Sequence, residues 1–313
     1  MRVGVVIDSG CDLPPDFIEE HKLGILPITI HLDGKDLVDR RDPGVALDFY
    51  KNHRGTSAGA ATSAFTSEQI TAFVLERLVL DFDFVFCLTI ASSRSQIHAN
   101  AMKASFAILN EYKPIRARAG ITTPFALRVV DTQNLFAGQA ITAFEAVRMI
   151  NTGAHPNQIR DRLDLLAPNT YGYMIPRDLK YLRERAQSKG DRSVSWLGAT
   201  LGTALDIKPV LRAYRNDTGP IAKIKNFDVA AARLLSFTVT RVEKGLLAPI
   251  VALSFGGELA RMRALPGYAD LRLVCSRLGV EITESVMGVT GGINVGEGAL
   301  AVAFASEPHE ADI

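Results

Sequence analysis

The chain has 313 residues, 47% of them hydrophobic and 22% charged, with a net charge of +1. That length supports a sizeable core and two domains, and the charge balance excludes an overall field directed at nucleic acid or an anionic membrane. No run approaches the roughly 18 apolar residues of a membrane span, and the three scattered cysteines, Cys11, Cys87 and Cys275, argue against a disulfide framework.

In chain order, Val3–Ile7 reads as a buried parallel strand running into Asp8-Ser9-Gly10. Pro14–His21 predicts a short helix and Gly24–His31 a second strand, with helices over Asp48–His53 and Ser67–Leu80. Thr62-Ser63, inside the small-residue stretch Gly59–Ala64, reads as the N-cap of the Ser67–Leu80 helix or its lead-in. Phe84–Ile90 is a strand meeting Ala91-Ser92-Ser93-Arg94-Ser95, and the next helix carries Ile97, Ala101, Ala104 and Ile108 on one stripe. Ala126–Val130 meets Asp131-Thr132-Gln133-Asn134, and the helix after it places Phe136, Ala140, Ala143, Val147 and Ile150 on one face, with Gly153 as its stop. Strands alternating with helices predict right-handed crossovers and a parallel sheet over residues 1–155.

The pattern changes near residue 155. His155-Pro156-Asn157 opens a helix with Ile159, Leu163 and Leu166, and a second follows Pro176 with Leu179, Leu182 and Ala186. Leu205–Tyr214 and Pro220–Lys225 flank a hairpin turn at Arg215–Gly219. Pro249–Phe255, Val280–Ser285 and Ala299–Ala305 are further strands, spaced by helices near Ala230–Val242 and Gly257–Leu265. Residues 156–313 therefore read as a second α/β domain with a largely antiparallel sheet.

Signatures of P-loop, dinucleotide-binding, nucleophile-elbow and zinc-protease chemistry are absent, and neither a metal-ligand cluster nor a nucleophile paired with its base is visible. What remains is the carboxyl edge of the parallel sheet, where ligands bind in open sheets. Asp8, Ser9, Ser92, Ser95 and Asp131 gather there, giving an anion-accepting edge built from hydroxyls and backbone N–H groups with few basic side chains. One hydroxyl of Ser92, Ser93 and Ser95 suffices as a cap, so the surplus points to a ligand. Arg94 reads as a solvated residue or a phosphate clamp, and Asp8 as a turn residue or a nucleophile. The glycines of Val286–Gly298 imply close backbone approach to another segment or to a ligand.

Taken together and in order, these segments resemble the DegV family of bacterial lipid-binding proteins. Val6–Pro14 is similar to that family's T-D-S-T-x-D-L-P, Ile25–Ile28 to V-x-P-L, Thr62-Ser63 to the start of T-S-Q-P-S, and Ile90–Ser95 to I-S-S-x-L-S. Val129–Thr132 with Gly138 resembles V-x-D-S followed by S-x-G, Leu205–Pro209 matches L-x-I-K-P, and Gly296–Leu300 resembles G-P-G-A-x-G. The resemblance implies a non-enzymatic, cytoplasmic two-domain carrier, 1–155 and 156–313, holding a long-chain fatty acid between its domains with no metal or other cofactor. It implies that Thr62 and Ser95 grip the carboxylate, with Ser63, Ser92 and Asn294 assisting and with Asp8, Ser9, Asp131 and Gly296 in support. Asn294 stands where the family has His. Phe65, Gln96-Ile97 and the run Arg183-Glu184-Arg185 also depart from the family's Pro, Gly-Thr and G-G-R. A fatty acid kinase subunit is the partner implied. The alternative is a small-molecule enzyme acting on a phosphate or carboxylate with Asp8, Asp131 and Arg94.

Overall fold

The computed structural model describes residues 1–52, 60–188 and 206–313. His53, Gly59, Leu205 and the Ala186 side chain, each invoked above, lie outside what is described. Strands β1 (Val3–Asp8), β2 (Gly24–Leu26), β6 (Phe84–Thr89) and β7 (Ala126–Asp131) form a parallel sheet in the order β2-β1-β6-β7. The order reverses direction at β1, so the crevice between the ends of β1 and β6 is the switch point at which such sheets accept ligands.

Strand alternation decides what covers each face. Val6, Val85, Cys87 and Val129 face α3 (Ser67–Arg77) and α4 (Ile97–Arg118), whose Ile97, Ala101, Ala104 and Ile108 are all buried. Val5, Ile7, Phe86, Leu88 and Val130 face α5 (Ala137–Asn151). From Ala137 to Val147 every residue of α5 is buried, because its far side meets a second sheet.

That sheet has six strands in the order β10-β9-β8-β13-β11-β12. They are β8 (Thr170–Ile175), β9 (Ile207–Tyr214), β10 (Asp217–Lys225), β11 (Ile250–Phe255), β12 (Glu281–Val286) and β13 (Leu300–Ala305). All neighbours are antiparallel except β11 and β12. Toward α5 the sheet offers Ala213, Ala252, Ala301 and Ala303, small enough for helix and sheet to approach closely. Toward its other face it offers Tyr173, Val251, Leu253, Phe255 and Phe304, packed on α8 (Phe227–Glu243) and α10 (Tyr268–Leu278). The remaining helices are α1 (Pro15–Glu20), α2 (Pro43–Asn52), α6 (Pro156–Leu166), α7 (Leu179–Ser188), α9 (Leu259–Arg263) and α11 (Val289–Val295).

Three expectations need correction. Gly24–His31 is two strands: Pro27, which has no N–H to give a ladder, separates β2 from β3 (Ile28–Leu32). β3 joins a separate antiparallel sheet with β4 (Lys35–Asp39) and β5 (Ala61–Ala64), in the order β4-β3-β5. Thr62-Ser63 is thus part of a strand; the N-cap of α3 is Thr66, in a capping box with Gln69. The glycine-rich run between the last two strands folds as α11.

Candidate functional site

A cavity of about 670 Å³ opens at the carboxyl edge of the parallel sheet. Its size falls in the roughly 300–1,000 Å³ range of small-molecule sites. Thr62, Ser63, Ser92, Ser95 and Asn294 all border it, together with Ser93, Arg94 and Gln96 from the β6–α4 turn. Leu135, Met174, Leu182, Leu211 and Val295 supply apolar lining.

The polar rim is held from behind. Asp8 is fully buried and accepts hydrogen bonds from the N–H of Gly10 at 2.8 Å and of Ile90 at 2.6 Å, which fixes where β6 ends. Burial pushes its carboxyl up from 3.8 to about 6, against the opposing pull of those N–H groups. Ser9 Oγ accepts from Ile28 N at 2.9 Å and lies 3.1 Å from Thr290 Oγ1, tying β3 to α11. Asp131 accepts from Ser92 N at 3.2 Å, Gln133 N at 2.9 Å and Asn216 Nδ2 at 3.0 Å. Asn216 sits in the β9–β10 turn, where both it and Arg215 have positive φ, and its carbonyl accepts from Ser93 Oγ at 2.6 Å. The hairpin is thereby clamped onto the sheet edge. Asn134 adds a second clamp, its Nδ2 donating to the carbonyls of Thr170 at 2.9 Å and Ala213 at 3.1 Å. A Cβ at Gly172 would lie 2.4 Å from Asn134 Oδ1, so this clamp requires the glycine. Phe136, on the cavity wall, is held at φ 50°, a strained conformation for a bulky residue.

Asp8 and Asp131 therefore serve the backbone, and neither borders the cavity. Ser95 Oγ accepts from Ile97 N at 3.2 Å at the start of α4. The N–H groups of Gly292, Gly296 and Gly298 donate to Gly288, Gly292 and Gly256 carbonyls. They are spent within the protein, and of the two readings of this run the glycines meet another segment: Tyr50 lies against Gly292 and Tyr181 against Gly296. Gly296 itself ends α11 at φ 86°, beneath the Tyr181 ring.

One basic side chain joins the cavity besides Arg94. Arg185 of α7 borders the cavity at 2% exposure, donating from Nε to Asn294 Oδ1 at 3.3 Å and from Nη1 to the Ala60 carbonyl. Desolvation lowers its pKa from the ordinary value. Its signal was present in the sequence: Leu182 and Arg185 are three apart, hence on one helical face. Asn294 Nδ2 donates to the Thr290 carbonyl at 2.7 Å, and these two residues, four apart, present one face of α11 to the cavity.

Among the described residues no group of His, Cys, Asp or Glu is arranged to hold a metal, and no helix is long and apolar enough to cross a membrane.

Residues 2–307 match the model of the DegV family. A DegV domain-containing protein of Xanthomonas axonopodis pv. citri is 57% identical over 312 residues, 99% of each chain. The fold is that of a DegV lipid-binding protein from Thermotoga maritima, with a TM-score of 0.74, 21% identity, and coverage of 99% of this chain and 100% of that one. A stearic acid-binding protein from Eubacterium ventriosum also superposes with a TM-score of 0.74, at 19% identity over 97% of this chain and 98% of that one.

Proposed function

Because the chain belongs to the DegV family, we propose that its cavity holds one long-chain fatty acid and that the protein is a cytoplasmic lipid carrier. The observation that carries this reading is the mixed lining of the cavity, where hydroxyls and a buried arginine meet aliphatic side chains. The descriptions of related proteins as lipid-binding and stearic acid-binding support it. Thr62 and Ser95 bind the carboxylate, Ser63, Ser92 and Asn294 assist, and Arg185 supplies the opposite charge. The acyl chain lies along Met174, Leu182 and Leu211, between a unit of residues 1–155 and one of 156–313. A carboxylate held at the rim is placed for presentation to a fatty acid kinase subunit.

Mass spectrometry of an organic extract, with the native mass of the intact complex, tests this directly. A stoichiometric fatty acid is expected; absence of lipid together with refusal of added fatty acid overturns the reading. Each added methylene of a saturated acid should tighten binding about fourfold, from roughly 0.8 kcal/mol per buried CH₂, until the cavity is full. A competition series against a fluorescent acid reads this slope, and a flat response excludes an acyl site. Arg185→Gln should weaken binding about 10- to 100-fold, the worth of hydrogen bonds to a charged group. An unchanged affinity in the same assay would remove Arg185 from the head-group site.

A further inference from the structure

We propose that Asp36, His31 and Ser63 form a catalytic triad at the cavity rim, with Ser63 the nucleophile toward long-chain acyl thioesters. The proposal rests on the acyl-binding reading above. Three neighbouring strands assemble the triad. Antiparallel register sets His31 of β3 opposite Asp36 of β4, and Ser63 of β5 opposite Thr29, one diagonal step from His31 on the same face. Asp36 Oδ1 lies 2.6 Å from His31 Nδ1, and His31 Nε2 lies 2.8 Å from Ser63 Oγ. A carboxylate at Nδ1 selects the tautomer protonated there, which leaves Nε2 to accept the Ser63 proton.

Polar ladders are common on exposed sheet faces; the cavity distinguishes this one. Thr62, Ser63 and Ala64 all border it, since β5 is the edge strand of its sheet. Thr62, opposite the buried Ile30, turns toward the interior, whereas Ser63 turns outward to His31. An acyl carbonyl brought out to the rim would thus meet Ser63 Oγ as nucleophile on the outer face, while Thr62 stays with the interior on the other face of the strand. The His31 and Asp36 side chains are 42% and 67% exposed, on the side where a leaving group too large for the cavity must project.

In the first half-reaction the bond from Ser63 Oγ to the acyl carbon forms as the carbon–sulfur bond breaks. The Ser63 proton passes to His31 Nε2 and then to the departing thiolate. In the second, water gives a proton to His31 and its oxygen to the acyl carbon. The Ser63 oxygen leaves, recovering that proton, and the fatty acid is released into the cavity.

The full chain should be incubated with p-nitrophenyl acetate and, separately, with hexadecanoyl-coenzyme A, following intact mass, peptide mapping and free thiol release. Uptake of labelled hexadecanoate by the same preparation is measured in parallel. The expected result is an acyl adduct on Ser63 with both reagents, absent in Ser63→Ala. His31→Gln should acylate about 10²- to 10⁴-fold more slowly, the usual worth of a general base. Normal hexadecanoate uptake without any adduct, or with an adduct elsewhere, overturns the nucleophile while sparing the acyl site. Acetylation of Ser63 without hexadecanoate uptake overturns the thioester substrate, and the carrier reading with it.

Discussion

Replacing Arg41 with methionine is expected to lower the unfolding free energy by about 3–5 kcal/mol, the cost of stranding a buried charge whose partner has been removed. Arg41 is 5% exposed and reaches Asp12 Oδ1 at 2.7 Å, Ser285 Oγ at 2.8 Å and the Val286 carbonyl at 3.1 Å. Asp12 in turn accepts from Gly288 N at 3.0 Å and from Ser254 Oγ, and Asp39 accepts from Arg41 N at 2.9 Å and Thr290 N at 2.8 Å. The network therefore joins the loop after β1 and the end of β4 to β11, β12 and the start of α11. Burial raises the Asp12 pKa even beside the guanidinium, so without Arg41 the residue is forced toward its neutral form. Urea unfolding measures the loss, and an unchanged m-value keeps the comparison two-state. A loss under about 1 kcal/mol, the scale of an exposed pair, would show that the pair is not a buried linchpin. Asp12→Leu combined with Arg41→Met should recover a large part, since two apolar groups leave no charge stranded. Because α11 carries Thr290 and Asn294 into the cavity, Arg41→Met should weaken fatty acid uptake as well.

The second large effect is a pH dependence centred on Asp8. Its pKa rises from 3.8 to about 6 on folding, so the folded chain holds a proton that the unfolded chain has released between those values. The stability Asp8 contributes is complete below pH 4 and is lost as pH rises through 6. The change is about 3 kcal/mol at 1.36 kcal/mol per unit. Asp83 and Glu145, held low by their arginine partners, titrate with the opposite slope, so the wild-type curve alone is a composite. The difference curve against Asp8→Asn isolates the Asp8 share: Asn should gain on wild type by about that amount from pH 4 to 7. A flat difference would mean that Asp8 is ionised throughout. The Gln139 side chain, like the N–H groups of Ile90 and Gly10, favours the ionised carboxylate, and burial outweighs all three.

The parallel strands and their helices were legible because their signals are local and repetitive. Ile97, Ala101, Ala104 and Ile108 announce a buried stripe, and all four lie at 0–1% exposure. β8 was not legible: Thr-Tyr-Gly-Tyr-Met-Ile carries a glycine at its centre, which the sequence alone does not connect with the Asn134 clamp. β4 and β5 are short and polar, and only their pairing with β3 makes them strands. The cavity residues Thr62, Ser92, Ser95 and Asn294 were nameable because each sits in a motif that resembles one of the family. Arg185 was overlooked because the matching G-G-R run is missing. The contact of Ser63 with His31 arises from register, and register between strands 30 residues apart is not written in either segment.

The helix enclosed between the two sheets has a consequence for biosynthesis. α5 leaves the ribosome long before β11 and β13, and until residues 250–305 follow, the face that will meet their alanines has nothing to cover it. A nascent chain stalled anywhere in that interval should expose an apolar helix to holdase chaperones and proteases. Release of the last strand, rather than completion of the first sheet, should mark the moment at which the protein becomes resistant to both.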